Sequence, residues 1–419
     1  MKKLQLIRRI SQARCHFSSL RPNLDFDYLL NPDLKQEIEQ NIKSRKGVGD
    51  IDVLYSTWKR IESLTQDVEK KEPITEEQFQ KLWDKLYEEA LNIPNTSHPT
   101  APLGDESNCE IVEEWGEKSS LKKPKLMERL VQAWRTLLYS SDACGERSYF
   151  LMDSLARLEK ALLEYAYDRV LENGFAPVIV SDLVPTQVTR ACGVQQKEGA
   201  HAIQYLLTDE PDTALSGTAE MGIAAMLQNR KFKKSELPLR LVSQSRCFRP
   251  EISRSAAEAK LYRVHEFYKV EMFVVCTPEQ SEKQLKRLVD IQKNIFKGLE
   301  IHARLKNMST EELGASAHQK FDIEAWMPGR ELWGEVSSAS NCTDYQARRL
   351  NIQYITEKGE LLPVHTCNGT AIASTRALIT VLETHQTQKG GINLPKVLQE
   401  RLGKPEPHRL KFQRAAPLS

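Results

Sequence analysis

No apolar run in these 419 residues reaches the length needed to cross a bilayer. Cysteine is scarce and scattered, with eight residues at 15, 109, 144, 192, 247, 276, 342 and 367 and no pair at C-x-x-C spacing. That spacing argues against a structural zinc site. Disulfides are not expected in a reducing compartment, so the thiols read as reduced core residues. The chain has no internal repeat and no low-complexity segment. Net charge is nearly absent too: 59 basic residues stand against 57 acidic ones, leaving +2. Residues 1–20 alone carry +5 and no acid, so that +2 less this +5 leaves about −3 for the remainder. Any RNA contact must then come from local patches and shape, not from net field. What is present is a composition 40% hydrophobic and 28% charged, enough for a large core and two domains.

The N-terminus places Lys2, Lys3, Arg8, Arg9 and Arg14 around Leu4, Ile7 and Ile10 on one helical face. Residues 1–20 therefore read as a mitochondrial presequence. Residues 51–70 are helical by period, with Leu54, Trp58, Ile61, Leu64 and Val68 in one stripe. Lys70-Lys71-Glu72-Pro73 breaks it. Thr75 and Gln78 then have the spacing of a capping box, with Ile74 and Phe79 as a staple. Phe79, Leu82, Leu86 and Ala90 continue a second stripe, so the pair reads as a short antiparallel helical hairpin. The Pro-, Asn- and Ser-rich segment 95–108 reads as a linker. A long helix over 154–173 with a strand over 175–179, another helix over 279–305, and a helix over 377–385 are also expected. With the alternating strands after Phe321, these predict an α+β fold, an antiparallel sheet flanked by helices. The tail 401–419 is basic and contains Pro.

The chemistry concentrates between Cys247 and Phe273, CFRPEISRSAAEAKLYRVHEFYKVEMF. Strands over 239–248 and 262–275 enclose a polar loop. They bring Arg249, Glu251, Arg263, Phe267 and Glu271 into one hairpin. A guanidinium for phosphate oxygens, an aromatic plane for a base and a carboxylate for an amine or metal are what a nucleotide needs. An ordinary charged hairpin has some of these groups, but not the full string.

That string resembles motif 2 of class II aminoacyl-tRNA synthetases, and within them the seryl-tRNA synthetases. Ser216–Glu220 (SGTAE) resembles their threonine-containing serine loop. Phe321–Arg330 and Glu335–Arg349 are similar to family segments, and His365–Arg376 (HTCNGTAIASTR) resembles motif 3. The likeness runs over roughly 290 residues, and the mitochondrial and bacterial branch fits best. It implies ATP as substrate with Mg²⁺. Arg249 and Arg376 become the catalytic residues. Arg249, Glu251, Arg263, Phe267, Glu335, Ser338 and Arg376 become ATP ligands, with Glu335 and Ser338 holding the metal. Thr218, Glu220, Arg249, Glu271, Asn368 and Thr370 become the serine ligands.

The resemblance also implies a tRNA-binding arm over 21–98, shortened here, a catalytic domain over 99–400, and a flexible tail over 401–419. The partners it implies are mitochondrial tRNA(Ser) and a second subunit, giving a homodimer or a heterodimer with a seryl-tRNA synthetase-like paralogue, with no membrane. The helix–strand unit 154–182 resembles the dimer element, and the mitochondrial matrix is the expected compartment. Two departures stand out. The motif 2 loop ends in Ala259-Lys260 where Arg-Gly is usual, and Ser374-Thr375 precede Arg376. Three readings follow: an active serine–tRNA ligase, a non-catalytic paralogue that binds RNA or stabilises a partner, and a ligase for a free acceptor.

Overall fold

The computed structural model describes residues 22–46, 49–67, 76–132, 134–139, 145, 147–195, 203–251 and 260–402. The expected presequence, the Lys70–Thr75 turn and cap, the motif 2 loop over 252–259 and residues 403–419 lie outside the described residues.

In chain order the principal elements begin with helices α1 (Lys35–Ser44), α2 (Ile51–Asp67) and α3 (Glu76–Asn92). Strand β1 (Glu110–Trp115), helix α4 (Asp153–Glu172), strand β2 (Ala176–Pro177) and helix α5 (Ala219–Leu227) follow. Next come β3 (Leu239–Phe248), β4 (Glu266–Cys276), α6 (Ser281–Gly298), β5 (Ala303–Asn307), β6 (Gln319–Met327) and β7 (Leu332–Thr343). The last are α7 (Tyr345–Leu350), β8 (His365–Ala373) and α8 (Ser374–Thr384). Eight strands form one sheet in the order β1-β5-β6-β7-β8-β4-β3-β2. Every pairing is antiparallel except the edge pair of β2 with β3. This is the α+β fold that the sequence predicts.

The period of two in β4 positions the site. Val270, Met272 and Val274 turn into the main core beneath α4, α6 and α8. Phe267, Lys269 and Glu271 turn to the opposite face. There Phe273 and Val275 join a smaller core with α5 and α7. Polar side chains thus line an open floor in the middle of the sheet, backed by fully packed strands.

Four local expectations need correction. The helix expected over 279–305 ends at Gly298, and residues from Ala303 form β5. A Cβ at Gly298 would sit 2.0 Å from the Tyr165 hydroxyl, and Glu300 turns the chain at φ +52°. The second motif 2 strand begins at Glu266, after a 3₁₀ turn over Lys260–Tyr262. Of the strand expected over 175–179, only Ala176–Pro177 is strand, extended by one bond from the Val178 N–H to the Val242 carbonyl at 2.8 Å. The last helix starts at Ser374, so Arg376 lies in its first turn.

Toward the N-terminus, Leu54, Trp58 and Ile61 of α2 bury against Trp83, Leu86 and Ala90 of α3. Trp58 and Trp83 meet edge to face, centroids 6.3 Å apart. The base of this bundle is fastened to the sheet. The buried Arg45 guanidinium donates to the carbonyls of Asn95 (3.1 Å) and Gly314. Asn95, at the head of the segment read as a linker, donates to the Ser316 and Cys342 carbonyls, 2.9 Å each. Arg349 of α7 stacks on Tyr345, 3.3 Å from its ring centre, and donates to the Leu91 and Ile93 carbonyls.

Candidate active site

A cavity of about 420 Å³ opens on the polar face of the sheet. Of the twelve residues that the sequence nominates, eleven line it: Thr218, Glu220, Arg249, Glu251, Phe267, Glu271, Glu335, Ser338, Asn368, Thr370 and Arg376. Arg263 does not. Its guanidinium lies 3.5 Å from Glu251, a residue of the lining, and 5.9 Å from the Tyr262 ring centre.

One end of the cavity is rich in arginine. The backbone N–H of Arg249 donates to the His265 carbonyl at 2.9 Å, and its guanidinium lies 5.4 Å from the centre of Phe267. Arg376 donates to the Glu335 carbonyl at 2.8 Å and rests on the Tyr262 ring, 4.7 Å from its centre. A β-bulge supplies the neighbouring oxygens. Ile323 pairs with Ser337 and Glu324 with Glu335, so Val336 is the extra residue. The extra residue brings Glu335 and Ser338 to one side, although their spacing in a regular strand would separate them. Gln292 holds this stretch from below through a 2.7 Å bond to the Ser338 carbonyl.

The other end is rich in carboxylate. Thr218 caps α5, accepting from the Glu220 N–H at 3.4 Å. Glu220 Oε1 accepts from Gln346 Nε2 at 2.5 Å and Asn368 Nδ2 at 2.6 Å. Glu271 Oε2 accepts from Thr370 Oγ1 at 3.1 Å, straight across the β8–β4 pairing. The same oxygen meets Lys269 Nζ at 2.5 Å. Lys269 is buried, and its Nζ also donates to Thr218 Oγ1 at 2.7 Å.

The two ends differ in electrostatics. Burial pushes the Glu220 carboxyl up to about 7, and the Glu271 charge adds to that rise against the pull of Lys269. Glu335 goes the other way. Its enclosure raises it, but the Arg376, Lys320 and Arg249 cations overcome that and hold it at about 2. Its side chain is 44% exposed, and that contact with solvent also favours the ionised form. Lys320, itself in the cavity lining, forms a 2.8 Å pair with the buried Asp322.

Tyr262, Lys269, Lys320 and Gln346 were not nominated by sequence reasoning. The signal for Lys269 is its place two residues before Glu271 and two after Phe267 on one strand face. Tyr262 carries no such signal, since its role is to support arginines distant in sequence.

Comparison with known proteins agrees with this geometry. The profile of the tRNA synthetase class II core domain (G, H, P, S and T) matches residues 205–385. The mouse mitochondrial serine–tRNA ligase is 40% identical over 331 residues, which is 77% of this chain and 64% of that protein. This chain therefore spans just under two thirds of the length of that mammalian relative. The serine–tRNA ligase of Treponema denticola is 36% identical over 412 residues, covering 89% of this chain and 97% of that one. The crystal structure of seryl-tRNA synthetase from Pyrococcus horikoshii complexed with ATP superposes with a TM-score of 0.77 at 30% identity, over 91% of this chain and 98% of that one. Sheet, cavity and core profile together define a class II tRNA synthetase. Within that class, the chain belongs to the serine–tRNA ligase family.

Proposed function

We propose that the protein is a mitochondrial serine–tRNA ligase. It joins the serine carboxylate to the α-phosphate of ATP, releases pyrophosphate, and passes the seryl group to mitochondrial tRNA(Ser). The observation that carries this reading is one cavity with two chemically opposed ends. The carboxylates and hydroxyls of Glu220, Glu271, Thr218 and Thr370 suit a small amino acid with an ammonium and a hydroxyl. Arg249 and Arg376 suit phosphate charge.

The attack needs no covalent enzyme intermediate; it needs in-line placement and neutralised phosphate. Arg249 lies where it can reach both the α-phosphate and the serine carboxylate. Phe267 offers its ring to the adenine and Glu251 accepts from the adenine amino group. Arg376, steadied on Tyr262, faces the nucleotide from the motif 3 side. Arg263 acts through Glu251, which it pairs with at 3.5 Å.

Magnesium fits this end. Glu335 is held ionised, and the bulge turns Ser338 to the same side of the strand. One carboxylate and one hydroxyl completed by phosphate oxygens make a donor set of the kind Mg²⁺ takes. When bound, the ion neutralises phosphate charge.

The arm over 21–98 is read as the tRNA-binding part and 99–400 as the catalytic domain. The mitochondrial matrix is the compartment. A two-fold partner, a second copy or a related subunit, would meet the sheet edge at β2, where Ile179 is 97% exposed and Leu183 47% exposed. Among the described residues no helix is long and apolar enough to cross a membrane. A non-catalytic paralogue would have no need to keep both ends of the cavity furnished. Serine-dependent ATP–pyrophosphate exchange by the purified protein tests the reading.

A further inference from the structure

We propose that Lys269 is a positioning residue for the amino acid: its ammonium fixes Thr218 as a hydrogen-bond donor and Glu271 as an acceptor toward the bound serine. This rests on reading the carboxylate-rich end of the cavity as the serine site.

A threonine hydroxyl has one O–H to donate and two lone pairs to accept with. Thr218 Oγ1 already accepts twice, from Lys269 Nζ at 2.7 Å and from the Glu220 N–H at 3.4 Å. Its remaining capacity is the O–H, and that must be spent on an acceptor. Lys269 can only donate, so it enforces this polarity; a water or a hydroxyl in its place could serve either way.

The same ammonium acts on Glu271. Oε2 is taken by Lys269 at 2.5 Å and Thr370 at 3.1 Å. Oε1 is the oxygen left to accept from a ligand. Both side chains are almost wholly buried, 6% and 3% exposed, so neither charge has water to fall back on. With Lys269 in place, the pocket offers a donor from Thr218 and an acceptor from Glu271. A serine hydroxyl can answer both at once, while alanine answers neither and leaves both unpaired. Lys269 also pairs with Glu271 and draws on Glu220, offsetting the repulsion between those two carboxylates. The arrangement depends on strand geometry: Lys269 and Glu271 are two residues apart on β4, hence on one face, and the α5 cap lies over them.

Steady-state exchange kinetics on Lys269→Met and Lys269→Gln test the proposal, with thermal melts as the fold control. Lys269→Met removes the donor but keeps the length. It should raise the serine KM about 30-fold or more, the usual scale for an unpaired buried charge, and leave the ATP KM within about twofold. It should also narrow the preference for serine over alanine. Lys269→Gln keeps an N–H₂ donor on a side chain one bond shorter, so it should recover part of the serine KM. If folded Lys269→Met keeps the wild-type serine KM, or raises the ATP KM by the same factor, the proposal fails. If the Gln variant is as impaired as the Met variant in serine KM, polarity is not what Lys269 supplies, and the proposal also fails. Calorimetric titration of a non-hydrolysable seryl-sulfamoyl adenosine separates this result from the parent reading. Absent exchange in the wild-type protein would count against the ligase, while analogue affinity lost in Lys269→Met and partly restored in Lys269→Gln would still support Lys269.

Discussion

The two ends of the cavity hold charge in opposite ways. At the carboxylate-rich end the charges are buried and satisfied within the protein: Glu271 by Lys269 and Thr370, Glu220 by Gln346 and Asn368. At the arginine-rich end Glu335 is partly exposed, and the guanidiniums rest on rings, Arg249 over Phe267 and Arg376 over Tyr262. The first arrangement is rigid and reads hydrogen bonds. The second leaves cationic edges facing the cavity to meet charge that arrives with a ligand. A buried polar site gains selectivity, because the wrong ligand strands its groups. A cationic site on aromatic supports gains rate, because its donors are in place before the reaction needs them.

The comparison can be broken at either end. Arg249→Ala should have the largest effect, cutting pyrophosphate exchange by about 100-fold or more, the scale for one lost contact to developing charge. A loss confined to KM would show that Arg249 only binds. Glu271→Ala should raise the serine KM strongly and leave the ATP KM nearly unchanged. If the ATP KM rises and the serine KM does not, the two ends have been assigned the wrong way round.

Glu220 gives a pH test. Its carboxyl is raised to about 7 by burial and by Glu271, above its ordinary range in the unfolded chain. The folded protein therefore holds this proton more tightly. Ionisation costs stability progressively as pH rises from the ordinary carboxylate range to about 7, and the full cost applies above that. Glu220→Gln should thus raise the melting temperature more at pH 8 than at pH 5.5. An equal shift at both pH values would show that the group ionises normally. The smallest effect on activation belongs to the helical hairpin. Deleting residues 66–76 leaves the contacts of Arg45 and Arg349 that hold the base of the bundle. Charging of tRNA should weaken while exchange stays within about twofold. Unchanged charging would make the hairpin a packing element.

Much of this was legible in the sequence for a physical reason. The strand 239–248 was readable to its bounds because the polar loop and Arg-x-Glu that follow it are local signals. Eleven cavity residues were readable because they sit in long ordered motifs. What stayed hidden depends on distant partners. A lysine in a strand reads as solvent-facing, and nothing local shows that Thr218 and Glu271 enclose Lys269. The bulge at Val336, which turns Glu335 and Ser338 to one side, is a property of the β6–β7 pairing and not of β7 alone. Segment 95–108 has linker composition, yet Asn95 is fixed by carbonyls more than two hundred residues away. Arg263 belongs to the hairpin string but precedes the strand, which starts only at Glu266, and it pairs with Glu251 rather than lining the cavity.

The most direct test is ATP–pyrophosphate exchange by the purified protein with Mg²⁺, run with serine and with alanine. The account predicts exchange that requires serine and is nearly absent with alanine. No serine-dependent exchange, with the protein alone or with its natural partner subunit, would contradict it.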